Sequence, residues 1–289
     1  TLSPSSAASD VYKRQLYVCW VDPPPGVLDL YKCLLAKARE LEREAKRRYG
    51  PDHRPSECLD HPLCRFSKLV KRAAMALAEC GHTALVGHKL WKYPSLSRPP
   101  PGFKKSPKEM FEDILASGIP NHKFAAAERV LKCAGADKAI VFANSVSTAL
   151  ELGASLQAGM GVEDVAVLVG KSRMSMKHQA RALLHFKTKA RVLVATSVAE
   201  EGLDIPAADV EVWLDVPGNP RVLVQRAGRL LRPKGGRSVS IYALVTRGTH
   251  EGRKLKSVIK AAEKHYGFRV GTRDAGRSFE AGQTTLVPL

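Results

Sequence analysis

The chain has 289 residues, 44% of them hydrophobic, enough apolar side chain to bury a core in one large or two ordinary domains. Its 46 Lys and Arg against 28 Asp and Glu give a formal charge of +18 and a pI near 9.8, an excess that repels itself unless a polyanion offsets it. Nucleic acid is therefore the expected partner. No apolar run approaches the ~18 residues of a membrane span, no signal-peptide pattern opens the chain, and six scattered cysteines read as reduced thiols. These features argue against a membrane protein or a disulfide-framed secreted one, and a cytoplasmic location is the expectation.

Residues 1–15 stand apart, because Ser5 to Gln15 (SSAASDVYKRQ) resembles a translated sequencing adapter, and fold reasoning starts at Leu16. Residues 16–22 read as a short strand stopped by Asp22-Pro23-Pro24-Pro25-Gly26, and as the last strand of a first domain that lies upstream. From Val27 the apolar positions Leu30, Leu34, Ala38, Leu41 and Ala45 recur every three or four residues with Lys and Arg between them, which predicts an amphipathic helix with a basic face. A second helical pattern covers Leu63 to Cys80, and residues 23–94 together form a basic, all-α insert. Three consecutive prolines and Lys104-Lys105 mark 95–123 as a linker. Beyond it, a helix runs from Phe124 to about Cys133. Strands Ala139 to Ala143, Val165 to Val169, Val192 to Ala195, Val210 to Leu214 and Val239 to Val245 then alternate with helices Ser147 to Gln157, Met176 to Phe186, Pro220 to Leu231 and His250 to His265. That alternation predicts an α/β domain over 124–266, a parallel sheet covered by helices on both faces, with ligands at the carboxyl ends of its strands. Residues 267–289 read as a flexible tail.

Three segments carry chemistry. In Arg191 to Pro206 (RVLVATSVAEEGLDIP) an apolar strand runs into Thr196-Ser197, two small hydroxyls suited to phosphate oxygens, and then into Gly202-Leu203-Asp204. In QRAGRLLR, Gln225, Gly228, Arg229 and Arg232 fall at i, i+3, i+4 and i+7, sharing one helix face on which two guanidinium groups can grip a terminal phosphate. The third is Lys138 to Ser145 (KAIVFANS). Two other patterns carry less. Gly170-Lys171-Ser172 follows a strand like the end of a phosphate loop, but the glycine needed five residues earlier is Val165. Cys58, His61, Cys64, Cys80 and His82 are metal-ligand types at irregular spacing, and no metal is assigned to them.

Together the three segments resemble motifs V, VI and IV of superfamily 2 helicases, closest to the archaeal Hef and Fanconi anaemia M type with its helical insert, over about Leu16 to His265. The resemblance implies a RecA-like helicase C-terminal domain with the P-loop NTPase fold. It also implies that Gly202 and Asp204 approach the nucleotide, that Arg229 and Arg232 reach its γ-phosphate, and that Gln225 couples this site to the domain interface. Asn144, Ser145, Thr196, Ser197 and the turn of Gly170, Ser172 and Arg173 would contact the nucleic-acid backbone; simple loop capping is the alternative for Asn144 and Ser145. ATP and Mg would be held jointly with a first RecA-like domain, since phosphate loop and metal box are absent from this half. The implied activity is an ATP-dependent DNA helicase or translocase on duplex or branched DNA in repair or fork processing. An RNA-directed relative of the Dicer or RIG-I type and a non-catalytic binding module are the alternatives. Two positions depart from the pattern: Leu230-Leu231 replaces a Thr-Gly pair, and Met176 stands where relatives carry Gln. In the tail, Gln283 and Leu286 resemble the start of a sliding-clamp interaction peptide that lacks its aromatic pair.

Overall fold

Side chains along β1 (Gln15–Val21) to β6 (Ser240–Thr246) alternate between two apolar cores, and this alternation builds the sheet. In β2 (Ala139–Phe142), Ile140 and Phe142 enter one core, while Ala139 and Val141 enter the other. The computed structural model describes residues 15–58, 60–170, 173–196, 205, 208–228, 240–268 and 270–274. It joins β2 to β3 (Val165–Leu168), β4 (Val192–Ala195), β5 (Val210–Trp213), β6 (Ser240–Thr246), β1 (Gln15–Val21) and β7 (Gly271–Asp274) in one sheet, ordered β3-β4-β2-β5-β6-β1-β7. The pairs β3–β4, β4–β2, β2–β5, β5–β6 and β1–β7 are all parallel.

Helices cover both faces. Val130 of α4 (His122–Ala134) and Leu152 and Leu156 of α5 (Val146–Met160) pack on the Val141 side. Phe186 of α6 (Met176–Thr188), Leu223 of α7 (Pro220–Ala227), and Leu255 and Ala262 of α8 (Glu251–Tyr266) pack on the Phe142 side. Lys138, at the mouth of β2, donates to the carbonyls of Phe186 and Ala190 at 2.6 Å each, so a cation closes the carboxyl end of α6. The α/β architecture expected from the sequence, a parallel sheet covered by helices on both faces, is present.

Two expectations about the flanks need correction. β1 belongs to this sheet, between β6 and β7, and not to a separate upstream domain. Leu16 and Val18 enter one core and Cys19 and Val21 the other, so both faces of β1 are covered. An apolar run announces a buried strand but not which sheet it joins. The segment read wholly as tail also contributes, since Gly271 to Asp274 pair in register with Gln15 to Val18.

A second compact unit comprises residues 22–123 and 246–251. Leu34 and Leu41 of α1 (Pro25–Tyr49), Val70 and Leu77 of α2 (Pro62–Cys80), and Phe111 and Ile114 of α3 (Pro107–Ala116) share its core. α3 corrects the reading of 95–123 as a linker. Ser106 accepts from the Glu109 N–H while the Glu109 carboxylate accepts from the Ser106 N–H at 2.8 Å, a capping box that starts a helix directly behind the proline run. The turn of residues 246–251 belongs here as well: the buried Glu251 carboxylate accepts from Lys123 Nζ at 2.8 Å and from the Thr246 N–H at 2.7 Å.

Beside that ion pair, His122 is 8% exposed with neither ring nitrogen bonded, and burial first, then Lys123 and His82, hold its pKa at about 3. An unfolded histidine titrates near ~6.5, so between that pH and about 3 the unfolded chain binds a proton that the native chain refuses. Stability should fall on acidification through this window by up to ~1.4 kcal/mol per pH unit, with no slope from this group above it. His122→Gln should flatten the pH dependence seen in urea unfolding. Equal slopes in variant and parent would contradict the assignment.

Candidate nucleotide and nucleic-acid interface

The parallel register sets the carboxyl ends of four strands side by side: Phe142 pairs with both Ala195 and Trp213, and Leu168 with Ala195. Asn144, Gly170, Thr196 and Asp215 follow these ends, so the expected site residues from three separate segments do converge on one edge. α7 is fixed onto this edge by a buried arginine. Asn219 caps the helix by accepting from the Val222 N–H at 3.0 Å, Pro220 opens it, and Leu223, Arg226 and Ala227 form its buried face. Arg226 Nη1 lies 3.4 Å from Asp215 Oδ1, and its Nη2 donates to Asn144 Oδ1 at 2.7 Å. Asp215 Oδ2 in turn accepts from the Asn144 N–H at 2.6 Å, and the guanidinium lies 5.1 Å from the centre of the Phe142 ring. The network ties the helix that opens QRAGRLLR to the ends of β2 and β5.

Among the expected residues, Gln225 is half-buried on α7, and Gly228 follows it, exposed. Asn144 is exposed, but its side-chain oxygen is engaged by Arg226, a positioning role that loop-capping arguments alone did not identify. Ser145 precedes α5 with its Oγ 2.8 Å from Ser147 Oγ. Gly170 accepts from the Arg173 N–H at 2.9 Å in a tight turn, from which Arg173 projects into solvent. Thr196 is 3% exposed and its N–H donates to the Leu168 carbonyl at 3.1 Å, extending the ladder beyond β4; it is buried rather than offered to a phosphate. Ser172, Ser197, Gly202, Asp204, Arg229, Arg232, Gln283 and Leu286 lie outside the described residues.

Sequence reading passed over Arg226, Asp215 and Gln179. Gln179 is buried and donates to the Val169 carbonyl at 2.8 Å, gripping the end of β3, whereas Met176 one turn earlier is 69% exposed. A charged residue three positions after Leu223 on the apolar face of a short helix was the available sign for Arg226. Exposed Arg173, Lys177 and Arg181 leave a basic strip at the start of α6.

The helical unit has a basic surface of its own. A cavity of about 520 Å³ is lined by Arg65, Lys68 and Arg72 together with Phe66, Leu69 and Tyr93. Tyr93 is 43% exposed and stacks on Phe66 with ring centres 4.2 Å apart. Cations flanking an exposed ring suit a phosphate backbone and a stacked base or sugar without reading sequence.

Residues 122–234 match the helicase conserved C-terminal domain, and the chain carries a helicase C-terminal fold. Relatives include the ATP-dependent RNA helicase DBP8 of Saccharomyces cerevisiae, 34% identical over 132 residues that make up 44% of this chain and 29% of the relative. DEAD-box ATP-dependent RNA helicase 36 of Arabidopsis thaliana is 38% identical over 109 residues, 37% of this chain and 21% of the relative. Matches to the first curated relatives span only 11% to 29% of their lengths. Among solved structures, the Pyrococcus furiosus Hef helicase domain superposes with a TM-score of 0.58 at 20% identity, covering 88% of this chain and 60% of its own. The C-terminal part of the Fun30 ATPase domain gives 0.53 at 14% identity, covering 86% and 89%. Both coverages take in much more of the chain than residues 122–234.

Proposed function

We propose that this chain is the C-terminal part of an ATP-dependent helicase or translocase that acts on duplex or branched DNA through its backbone. The observation that supports the reading most directly is the carboxyl edge of the sheet, where Arg226 anchors α7 beside the turns after β2 and β5 in a domain that matches the helicase conserved C-terminal domain. In this reading Arg229 and Arg232, further along QRAGRLLR, reach a γ-phosphate, Gln225 couples them to the domain interface, and Gly202 and Asp204 meet the nucleoside. Mg-ATP would sit against this half only in part. Val165 is a buried residue of β3 where a phosphate loop requires glycine, so the donors here suit one wall of a shared site whose phosphate cradle comes from a first RecA-like domain. When bound, the nucleotide supplies phosphoryl transfer energy; this chain contributes charge neutralisation and nucleic-acid contacts.

Basic patches on both units favour non-specific backbone binding. Affinity for forked DNA should therefore fall with salt at about −0.9 in log K per log salt for each phosphate contacted, or roughly −4 to −5 for about five contacts. A flat salt response would remove the electrostatic account. The RNA-directed reading draws on the DBP8 and Arabidopsis relatives, both ATP-dependent RNA helicases. The same titration with a forked RNA of matched length separates the two: tighter RNA binding at equal salt would reassign the substrate.

A further inference from the structure

The loop joining α1 to α2 gathers three metal-ligand side chains that the motor reading does not use. His53 and Cys58 lie in the loop after Tyr49, and Cys64 lies in the first turn of α2. One ligand atom from each falls within 4.8 Å of the others, and His53 Nε2 is 3.1 Å from Cys64 Sγ. A zinc ion bound at about 2.3 Å to sulfur and 2.0 Å to nitrogen holds tetrahedral ligand atoms roughly 3.5 to 3.8 Å apart, so side-chain adjustment alone brings this trio to bonding positions. Cys64 is buried while Cys58 and His53 are half-buried, which leaves an entry path and a shielded interior.

The surroundings hold the ligands in place. Backbone N–H groups of His61 and Asp60 donate to the Cys58 sulfur. His61 stacks on Tyr49 with ring centres 3.9 Å apart, and the His53 ring stands 5.2 Å from Tyr49 and 5.3 Å from His61, so aromatic packing confines the His53 ring. Lys68 Nζ donates to the Cys58 carbonyl at 2.9 Å, linking the loop to the basic cavity that Lys68 helps to line.

We propose that His53, Cys58 and Cys64 bind a zinc ion that staples the α1–α2 loop. Two thiolates and an imidazole form a soft-to-borderline set that selects zinc over the hard cations calcium and magnesium. Each thiol gives up its proton to solvent as its sulfur binds the ion, and the remaining tetrahedral position is filled by water. This is a different use of the cysteines from the one spacing suggests, because the nitrogen ligand is His53, on the far side of Cys58 from His61. Cys80 and His82 take no part in the trio.

The full chain, reduced, stripped with chelator and titrated with Co²⁺, should develop a thiolate-to-cobalt charge-transfer band that saturates at a single equivalent and is displaced by Zn²⁺. Zinc should protect two cysteines from alkylation, identified by peptide mapping as Cys58 and Cys64, while Cys133, half-buried elsewhere, stays equally reactive. Cys58→Ser should abolish the band and weaken zinc binding by more than the ~10- to 100-fold that loss of an outer-shell partner costs. Cys133→Ser should leave both unchanged. No band, no protection of Cys58 and Cys64 in the unaltered chain, or an undiminished band in Cys58→Ser would overturn the assignment. So would a Cys58–Cys64 disulfide that persists under the same reductant. The protection map needs no variant and decides the matter even where Cys64→Ser does not fold.

Discussion

Arg226→Ala should destabilise the sheet domain by about 3 to 5 kcal/mol, measured as a lowered midpoint in urea or guanidinium unfolding, because it removes one partner of a buried ion pair from beside the Asp215 carboxylate. Domains of ordinary size are stable by only ~5 to 15 kcal/mol, so the variant should sit near the unfolding threshold. Three groups are affected at once: Asp215, Asn144 Oδ1 and the Phe142 ring face each lose a contact with the guanidinium. Arg226→Lys should cost less but not nothing, since an ammonium is a point charge and cannot reproduce a planar fork that meets Asp215 and Asn144 together. If the pair is coupled, Arg226→Ala and Asp215→Ala combined should cost less than the sum of the single changes. A loss below ~1 kcal/mol, the scale of an exposed ion pair, would show that the network does not hold α7 in place.

The same residues show where sequence reading reached and where it stopped. The parallel sheet was legible because β2, β3 and β4 are short, fully apolar runs rich in valine separated by helices, and a strand buried on both faces has little other sequence form. Motif positions on strand ends were legible for the same reason. Sheet membership was not: β1 and β7 lie far apart in sequence, and nothing local in Leu16 to Val21 states which neighbours it will have. α3 was hidden by composition, because three prolines and two lysines outweigh a four-residue capping signal unless Ser106 and Glu109 are read as a pair. Arg226 was hidden by its neighbours. In a string where Gln225, Arg229 and Arg232 carry the family's chemistry, the remaining arginine looks like surface charge, and only the strand-end carboxylate of Asp215, eleven residues upstream, reveals it as an anchor.

Arg232→Ala should lower nucleic-acid-stimulated ATP turnover by about 10³-fold or more, in a protein where a RecA-like half with a phosphate loop precedes this chain, while leaving nucleic-acid affinity nearly unchanged. The size follows from the role proposed for the residue: a guanidinium that meets charge developing on the transferred phosphoryl group is worth ~10³ to 10⁵ in rate. α7 supports that role by being anchored in its last turn, since Arg226 fixes the helix to the ends of β2 and β5 just before the chain reaches Arg229 and Arg232. Arg226→Ala and Arg232→Ala should therefore fail differently. The first should lose turnover together with stability, and lowering temperature should restore part of it; the second should keep the parent's unfolding midpoint and lose kcat at every temperature. Substrate binding gives the remaining distinction, because a group that acts on the transition state changes kcat and kcat/KM alike and leaves KM almost where it was. Equal losses of turnover and of DNA affinity in Arg232→Ala would place the residue on the nucleic acid instead, and would move the γ-phosphate role to Arg229 alone.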